Sequence, residues 1–202
     1  MKQYPTIDKT IMNIPVWVWD KLDGSNIRVE WTRKNGLAKF GSRHQLIDNS
    51  HLLRESIVLI KEYENDLNVI FKRMRVPKIT MFWEFFGERS FAGNHFEEPH
   101  KVVLLDVFVY KQGCMQSNNF YKMFNSIIPI PNLLHHGYVR SDLEQAIRKN
   151  EMFDITFEGV VCKGAVKKNM GFPRMFKIKT NAWLEKLKNY CANDDKMFNR
   201  LA

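Results

Sequence analysis

The chain has 202 residues, of which 45% are apolar and 26% charged, a globular balance that excludes a disordered or fibrous polymer and suits one domain with a sizeable core. A formal net charge of +9 and a pI near 9.5 favour an anionic partner, without separating nucleic acid from a membrane surface. No apolar run reaches the ~18 residues of a spanning helix, and Met1 to Thr6 lacks the apolar core of a signal peptide, so no membrane partner and a cytoplasmic location are expected.

In chain order, Val16-Trp17-Val18-Trp19 is short, β-branched and aromatic and predicts a strand running directly into Lys21. Ile27 to Trp31 reads as a second strand, and Lys34-Asn35-Gly36 as a hairpin signal before Leu37 to Ser42 returns. Between Leu52 and Met74 apolar residues recur at three- and four-residue spacing, predicting one long or two shorter amphipathic helices. Lys78 to Phe86 and Lys101 to Tyr110 read as strands joined by a polar, glycine-bearing loop that faces substrate. Ser141-Asp142-Leu143-Glu144 has the form of a capping box opening a helix to about Lys149. Val160 to Cys162 and Phe176 to Lys179 form a last pair of strands, and Asn181 is a candidate cap for a helix over Ala182 to Tyr190. The elements predict an α+β fold of mainly antiparallel sheets flanked by helices.

The three scattered cysteines, Cys114, Cys162 and Cys191, are odd in number and form no CxxC pair, favouring neither a disulfide framework nor a zinc site. The histidines, His135-His136 included, lack metal-ligand spacing. Lys163, Lys167, Lys168, Arg174, Lys177, Lys179, Lys186 and Lys188 face a single Glu185 in the same stretch, a candidate surface for a phosphate backbone or else a solvated basic face. Lys72-Arg73-Met74-Arg75 is a weaker candidate, equally suited to closing a helix C-terminus.

Five short motifs occur in a fixed order: Lys21-Leu22-Asp23-Gly24, Ser42-Arg43, Glu84-Phe85-Phe86-Gly87, Glu158-Gly159-Val160-Val161 and Phe176-Lys177-Ile178-Lys179. Alone, a Lys-x-Asp-Gly string is also what a surface hairpin shows, and alternating lysines also mark an edge strand. As a series from about residue 16 to 180, the chain resembles the ATP-dependent RNA ligases of the covalent nucleotidyltransferase superfamily, especially the phage RNA ligase 2 type. The resemblance implies a single adenylation domain, of the ATP-grasp-like ligase kind, over residues 1–202. The stretch after Lys179 is too short for a C-terminal oligonucleotide-binding barrel, so strand joining is expected to use this core alone, a protein partner or a dimer mate.

By resemblance, Lys21 attacks the α-phosphate of ATP, releases pyrophosphate and carries AMP, which passes to an RNA 5′-phosphate before a 3′-hydroxyl seals the strand. A role in RNA repair, in the host cytoplasm if viral, would follow. A lysine is nucleophilic only as the free amine, so its pKa must fall, and Lys177 and Lys179, alternating along one strand, are placed to lower it. Both would also neutralise the α-phosphate in transfer. Arg43 is suited to hold phosphate through a planar guanidinium, with Arg28 either a second such group or an ordinary strand residue. Asn26 matches a position that contacts the RNA end or its phosphate. Glu84 matches the glutamate that accepts from the ribose hydroxyls, and Glu158 a metal-side carboxylate, implying Mg2+ as well as ATP. Leu22 lies within the nucleotide motif, and Asp20 matches an acceptor for the adenine amino group, favouring ATP over GTP. The sequence departs from the family at the base-stacking position, where Leu105 precedes Asp106; either Leu105 packs on the base, or Phe108 or another aromatic replaces it. Guanylyl transfer in capping, a minimal DNA ligase and a non-catalytic nucleic-acid-binding module are the competing readings.

Overall fold

A computed structural model describes residues 1–48, 52–88, 97–152, 154–167, 171–192 and 194–202. Lys168 and most of the loop following Gly87, both singled out above, lie outside the described residues.

Two antiparallel sheets organise the chain. One has the order β7-β1-β8-β9, built from β1 (Val16–Asp20), β7 (Leu133–Gly137), β8 (Gly159–Lys163) and β9 (Met175–Lys179). The other has the order β3-β2-β4-β5-β6, from β2 (Ser25–Thr32), β3 (Gly36–Gly41), β4 (Lys78–Phe86), β5 (Lys101–Val109) and β6 (Gly113–Cys114). The central strands are buried along nearly their whole length, which is why they read as continuous apolar runs rather than alternating ones. The α+β class expected from the elements is the fold observed, with helices packed against both sheets.

The 52–74 block forms two shorter helices, α1 (Glu55–Lys61) and α2 (Glu64–Arg73), which lay Ile60, Leu67 and Phe71 onto the five-stranded sheet. There they meet Trp31, Trp83 and the buried rings Phe120 and Phe124 of α3 (Ser117–Phe124). The Lys72 to Arg75 run closes α2, whose Lys72 carbonyl accepts from Arg33 Nη2 at 2.7 Å. A second core lies between β1, β8, β9 and α4 (Ser141–Lys149). The capping box of α4 does not form. Arg140 occupies the cap position, and the Glu144 carboxylate accepts instead from Arg148 at 2.7 Å, one turn on. Helix α5 (Asn181–Tyr190) starts one residue earlier than expected because Thr180, not Asn181, is its cap, its hydroxyl accepting from Trp183 N at 3.2 Å. A last helix, α6 (Asp195–Leu201), packs on α5 around Trp183 and Leu187.

All three cysteines are buried and free, and the described residues contain neither a helix able to cross a membrane nor a cluster of metal-ligating side chains.

Two glycines permit the close approach on which the region around Lys21 depends. At Gly159, φ is +130° and an added Cβ would stand 2.1 Å from the Ile178 carbonyl oxygen. At Gly24 it would stand 2.3 Å from the Phe85 carbonyl oxygen. Any larger residue must therefore push β8 from β9, or the Lys21 turn from β4. Gly159→Ala should cost on the order of 1–3 kcal/mol from backbone conformation alone, with the steric clash added. Urea unfolding beside the parent protein checks this; an unchanged midpoint would show that the strands yield freely.

Candidate active site

A cavity of about 770 Å³ is lined from both sheets, and it gathers Asp20, Lys21, Leu22, Asn26, Arg43, Glu84, Leu105, Glu158, Lys177 and Lys179. These residues, spread over much of the sequence, are brought together by strand register. β1 pairs with β8 so that Asp20 faces Val160, and Lys21 N then donates to the Gly159 carbonyl at 2.9 Å. β8 pairs Gly159 with Lys179, while β2 pairs Asn26 with Glu84.

At the centre the Glu158 carboxylate bridges two ammonium groups. Its Oε2 lies 2.7 Å from Lys21 Nζ and its Oε1 lies 2.9 Å from Lys179 Nζ. The Lys179 ammonium also stands 3.2 Å from the centroid of the Trp183 ring, brought in by α5. Burial works against charge on Glu158, yet Lys21 and Lys179 outweigh it and hold the carboxyl below its ordinary range.

The electrostatics of Lys21 run opposite to the expectation from sequence. Burial pulls its pKa down, but Glu158, Glu84 and Asp23 together raise it above the ordinary lysine value. The depressed amines are the two neighbours. Burial, Lys21 and Lys177 bring Lys179 down to about 8 despite Glu158, and burial with Lys21, Lys9 and Arg43 lowers Lys177. In this state Lys21 is an ion-paired ammonium. Glu84 is pushed up to about 8 by burial, with Glu158 and Asp23 adding to it against Lys21 and the Gly24 amide.

Asp20 is fixed by Thr156, whose amide and hydroxyl donate to its Oδ1 at 3.0 and 3.3 Å. Leu22 lines the cavity while packing on Phe86 and Val103. The amide of Asn26 donates to the Trp83 carbonyl at 3.3 Å, and its buried Oδ1 has no hydrogen-bond partner among the described residues. Arg28 is not brought to the cavity. It is buried, with Nε donating to the Ser42 carbonyl at 2.7 Å, so it positions the loop that carries Arg43. Phe108 is not brought there either. Its ring packs on Phe172 at 5.2 Å with the Lys2 ammonium 4.2 Å from its centroid, whereas Leu105 lines the cavity.

The basic run from 163 to 188 divides. Lys163 is buried against Asp106, with Nζ 2.8 Å from its Oδ2 and 2.8 Å from the Leu105 carbonyl, while Lys177 and Lys179 belong to the cavity. Lys167, Arg174, Lys186 and Lys188 are exposed.

Several cavity residues had no signal in the motif series. Tyr4, from a segment preceding the first strand, donates its hydroxyl to Asp106, and Lys9 reaches the rim. Trp19 and Trp183 contribute aromatic walls. For Lys163 a signal did exist: it sits two residues after Val161 on a strand whose alternation puts both on the cavity side.

A family model for RNA ligase matches residues 14–179. The chain belongs to the RNA ligase family. Among solved structures, a Naegleria gruberi RNA ligase mutant with ATP and manganese superposes at a TM-score of 0.61 with 16% identity, over 86% of this chain and 51% of that one. A second N. gruberi RNA ligase mutant, without ligand, gives 0.63 with 17% identity over 93% and 60%. A protein of Aquifex aeolicus described as a candidate ATP-dependent DNA ligase gives 0.66 with 17% identity over 99% and 57%. This RNA ligase family member thus shares their fold and spans about half to three-fifths of their length. A comparison with curated proteins finds no match.

The Lys163–Asp106 pair anchors the wall beside Leu105. Lys163→Met would leave the buried Asp106 carboxylate without its countercharge, with the Tyr4 hydroxyl still donating to it, a change expected to cost about 3–5 kcal/mol, and Asp106→Leu in the same chain should recover part of it. Denaturant unfolding of the single and double variants measures this; equal stability of the single variant and the parent would show that the pair adds nothing.

Proposed function

We propose that the chain is the catalytic core of an ATP-dependent RNA ligase that forms a lysyl-AMP intermediate at Lys21, transfers AMP to an RNA 5′-phosphate and seals it to a 3′-hydroxyl. The observation that carries this reading is the convergence of Lys21, Glu158 and Lys179 in a cavity of nucleotide size. In the first step the neutral amine of Lys21 forms an N–P bond to the α-phosphorus, the P–O bond to pyrophosphate breaks, and the nitrogen releases a proton. Because Lys21 rests as an ammonium on Glu158, this step requires the ion pair to open. Phosphate oxygens arriving against Lys179 and Lys177 would compete with the carboxylate for cations, and Arg43 adds a guanidinium at the exposed side.

The donor chemistry fits ATP. Asp20 supplies a buried carboxylate for the base, Leu105 and Leu22 an apolar lining, Asn26 Oδ1 a buried acceptor, and Glu84 a carboxyl for the ribose. Held near neutrality, Glu84 can donate as well as accept toward hydroxyls. For a divalent ion, Mg2+ in this proposal, Glu158 is the candidate ligand. No set of three ligating side chains surrounds it among the described residues, which suits a metal bound jointly by one carboxylate and substrate phosphates. Such an ion would supply charge neutralisation on the phosphates.

Incubation with α-labelled ATP and a divalent ion should label the protein, and Lys21→Ala should abolish the label. Label from GTP instead would move the reading to capping. No label with either would leave a nucleic-acid-binding module. Labelled protein offered 5′-phosphorylated RNA and DNA strands in parallel separates the RNA ligase from the DNA ligase reading.

The pH dependence follows from the same groups. Free amine at Lys21 increases as pH rises toward its raised pKa, so the initial labelling rate should climb by up to about tenfold per unit from pH 6. Near pH 8 Lys179 loses its charge, and the climb should bend over. In Lys179→Arg, where the charge persists, the bend should move to higher pH; a bend that stays in place would assign it to another group, such as Glu84.

A further inference from the structure

Charge around the cavity is graded from inside to outside. The inner cations, Lys21 and Lys179, are both paired with Glu158, and Lys179 is buried. Lys177 is half-buried, while Arg43 and Lys9 are exposed and line the same cavity. Lys9 is not part of the ordered motifs. It is delivered by the segment preceding β1, which lies alongside β9 as a parallel bridge between Asp8 and Phe176. Asp8 N donates to the Met175 carbonyl at 3.2 Å and Lys177 N to the Asp8 carbonyl at 2.9 Å. The backbone of residue 8 is therefore fixed to the strand that carries Lys177, so Lys9 stands beside Lys177 by construction. Lys177 feels Lys9 and Arg43 as repelling charges.

The Lys9 ammonium donates a hydrogen bond of 2.9 Å from Nζ to the Asn199 carbonyl in α6. A neutral carbonyl is exchangeable for an anion without breaking an ion pair, whereas the inner lysines must first leave Glu158. A triphosphate tail carries more negative charge than one α-phosphate and needs cations beyond those that meet the reacting group.

Resting on the nucleotide reading above, we propose that Lys9, with Arg43 and Lys177, forms an outer basic rim that binds the β- and γ-phosphates of ATP, and hence the departing pyrophosphate. It is a binding residue for the tail and takes no part in sealing. This division of labour distinguishes it from the inner lysines, which meet the phosphate that stays behind with AMP.

The test uses the full chain with Lys21→Ala, which cannot form the covalent link, titrated at equilibrium with ATP and with AMP. Adding Lys9→Ala should weaken ATP about tenfold, the effect of one charge-assisted hydrogen bond, and leave AMP unchanged; Lys9→Arg should restore ATP affinity. In the Lys21 protein, Lys9→Ala should raise the KM for ATP in self-labelling and the pyrophosphate concentration needed to reverse it. Sealing of a pre-adenylylated RNA strand, which involves no pyrophosphate, should keep its rate. Unchanged ATP affinity in Lys9→Ala would overturn the assignment, as would equal losses for ATP and AMP or an equal loss in sealing, since either marks a structural role. Failure of the Lys21→Ala protein to bind either nucleotide would instead overturn the nucleotide reading, and the rim with it.

Discussion

The carboxylate of Glu158, held between the ammonium groups of Lys21 and Lys179, is the interaction around which the rest of the site is arranged. Its three members come from the residue after β1, the residue before β8 and the end of β9, so it forms only if those strands pair in one register. Gly159 lets β8 and β9 meet at that point without a side chain between them. Buried ion pairs of this kind contribute little net stability, because desolvation offsets much of the attraction. Their arrangement at the centre of a cavity makes better sense as a poised site than as reinforcement.

That poise has an electrostatic consequence for Glu84. Its carboxyl is raised by burial and by two neighbouring carboxylates, so the folded chain holds a proton there that the unfolded chain releases near pH 4.5. Between that pH and about 8 the folded state binds more protons than the unfolded one, and stability contributed by this group falls as pH rises. Glu158 works in the opposite sense: with its pKa depressed, its contribution is present above the ordinary carboxylate range and is lost on acidification. The two glutamates of one cavity thus pull stability in opposite directions with pH, because one faces lysines at hydrogen-bond distance and the other mainly buried surroundings and acids.

Much of this was legible in the sequence where a segment carried its own signal. β-branched and aromatic runs marked β1, β4, β5, β8 and β9, and the ordered motifs named the charged centre of the cavity. What escaped had signals supplied by tertiary packing. Ser117-Asn118-Asn119 has low helix propensity as a first turn and Gln116 supplies no side-chain cap, so α3 depends on Phe120 and Phe124 burying against the large core. Leu133 to Gly137 shows no alternation, and as β7 it is an edge strand that meets β1 through an irregular register. The capping box at Ser141 failed because Glu144 has a charged partner one turn on. Phe108 looked like a substitute stacking residue, but β5 carries an irregularity opposite Phe82 and Trp83, and Leu105 is the residue it leaves without a strand partner. Such a bulge re-aims side chains, and nothing local in Leu104-Leu105-Asp106 announces it. The direction of the Lys21 pKa was missed for a related reason. The lysines of β9 are visible in the local sequence, whereas Glu158 and Glu84 come close to Lys21 only on folding.

The order in which contacts can be exchanged follows from their strengths. Lys9 at the rim and Lys179 further in each touch α6 through a backbone carbonyl, of Asn199 at 2.9 Å and of Leu201 at 3.5 Å. A hydrogen bond from an ammonium to a neutral carbonyl leaves no opposite charge behind when it breaks, and the longer of the two is the weaker. The inner contacts are charged, short and partly or wholly withdrawn from water, where separating partners leaves a buried charge uncompensated at a cost of several kcal/mol. An anion entering the cavity therefore replaces the carbonyl on Lys9 at the rim before it can draw Lys179 or Lys21 from Glu158. Once there, its own charge supplies the compensation that makes the inner exchange affordable. Rim occupancy thus precedes release of the Lys21 amine, and an anion too short to span rim and centre together would leave the ion-paired lysine closed.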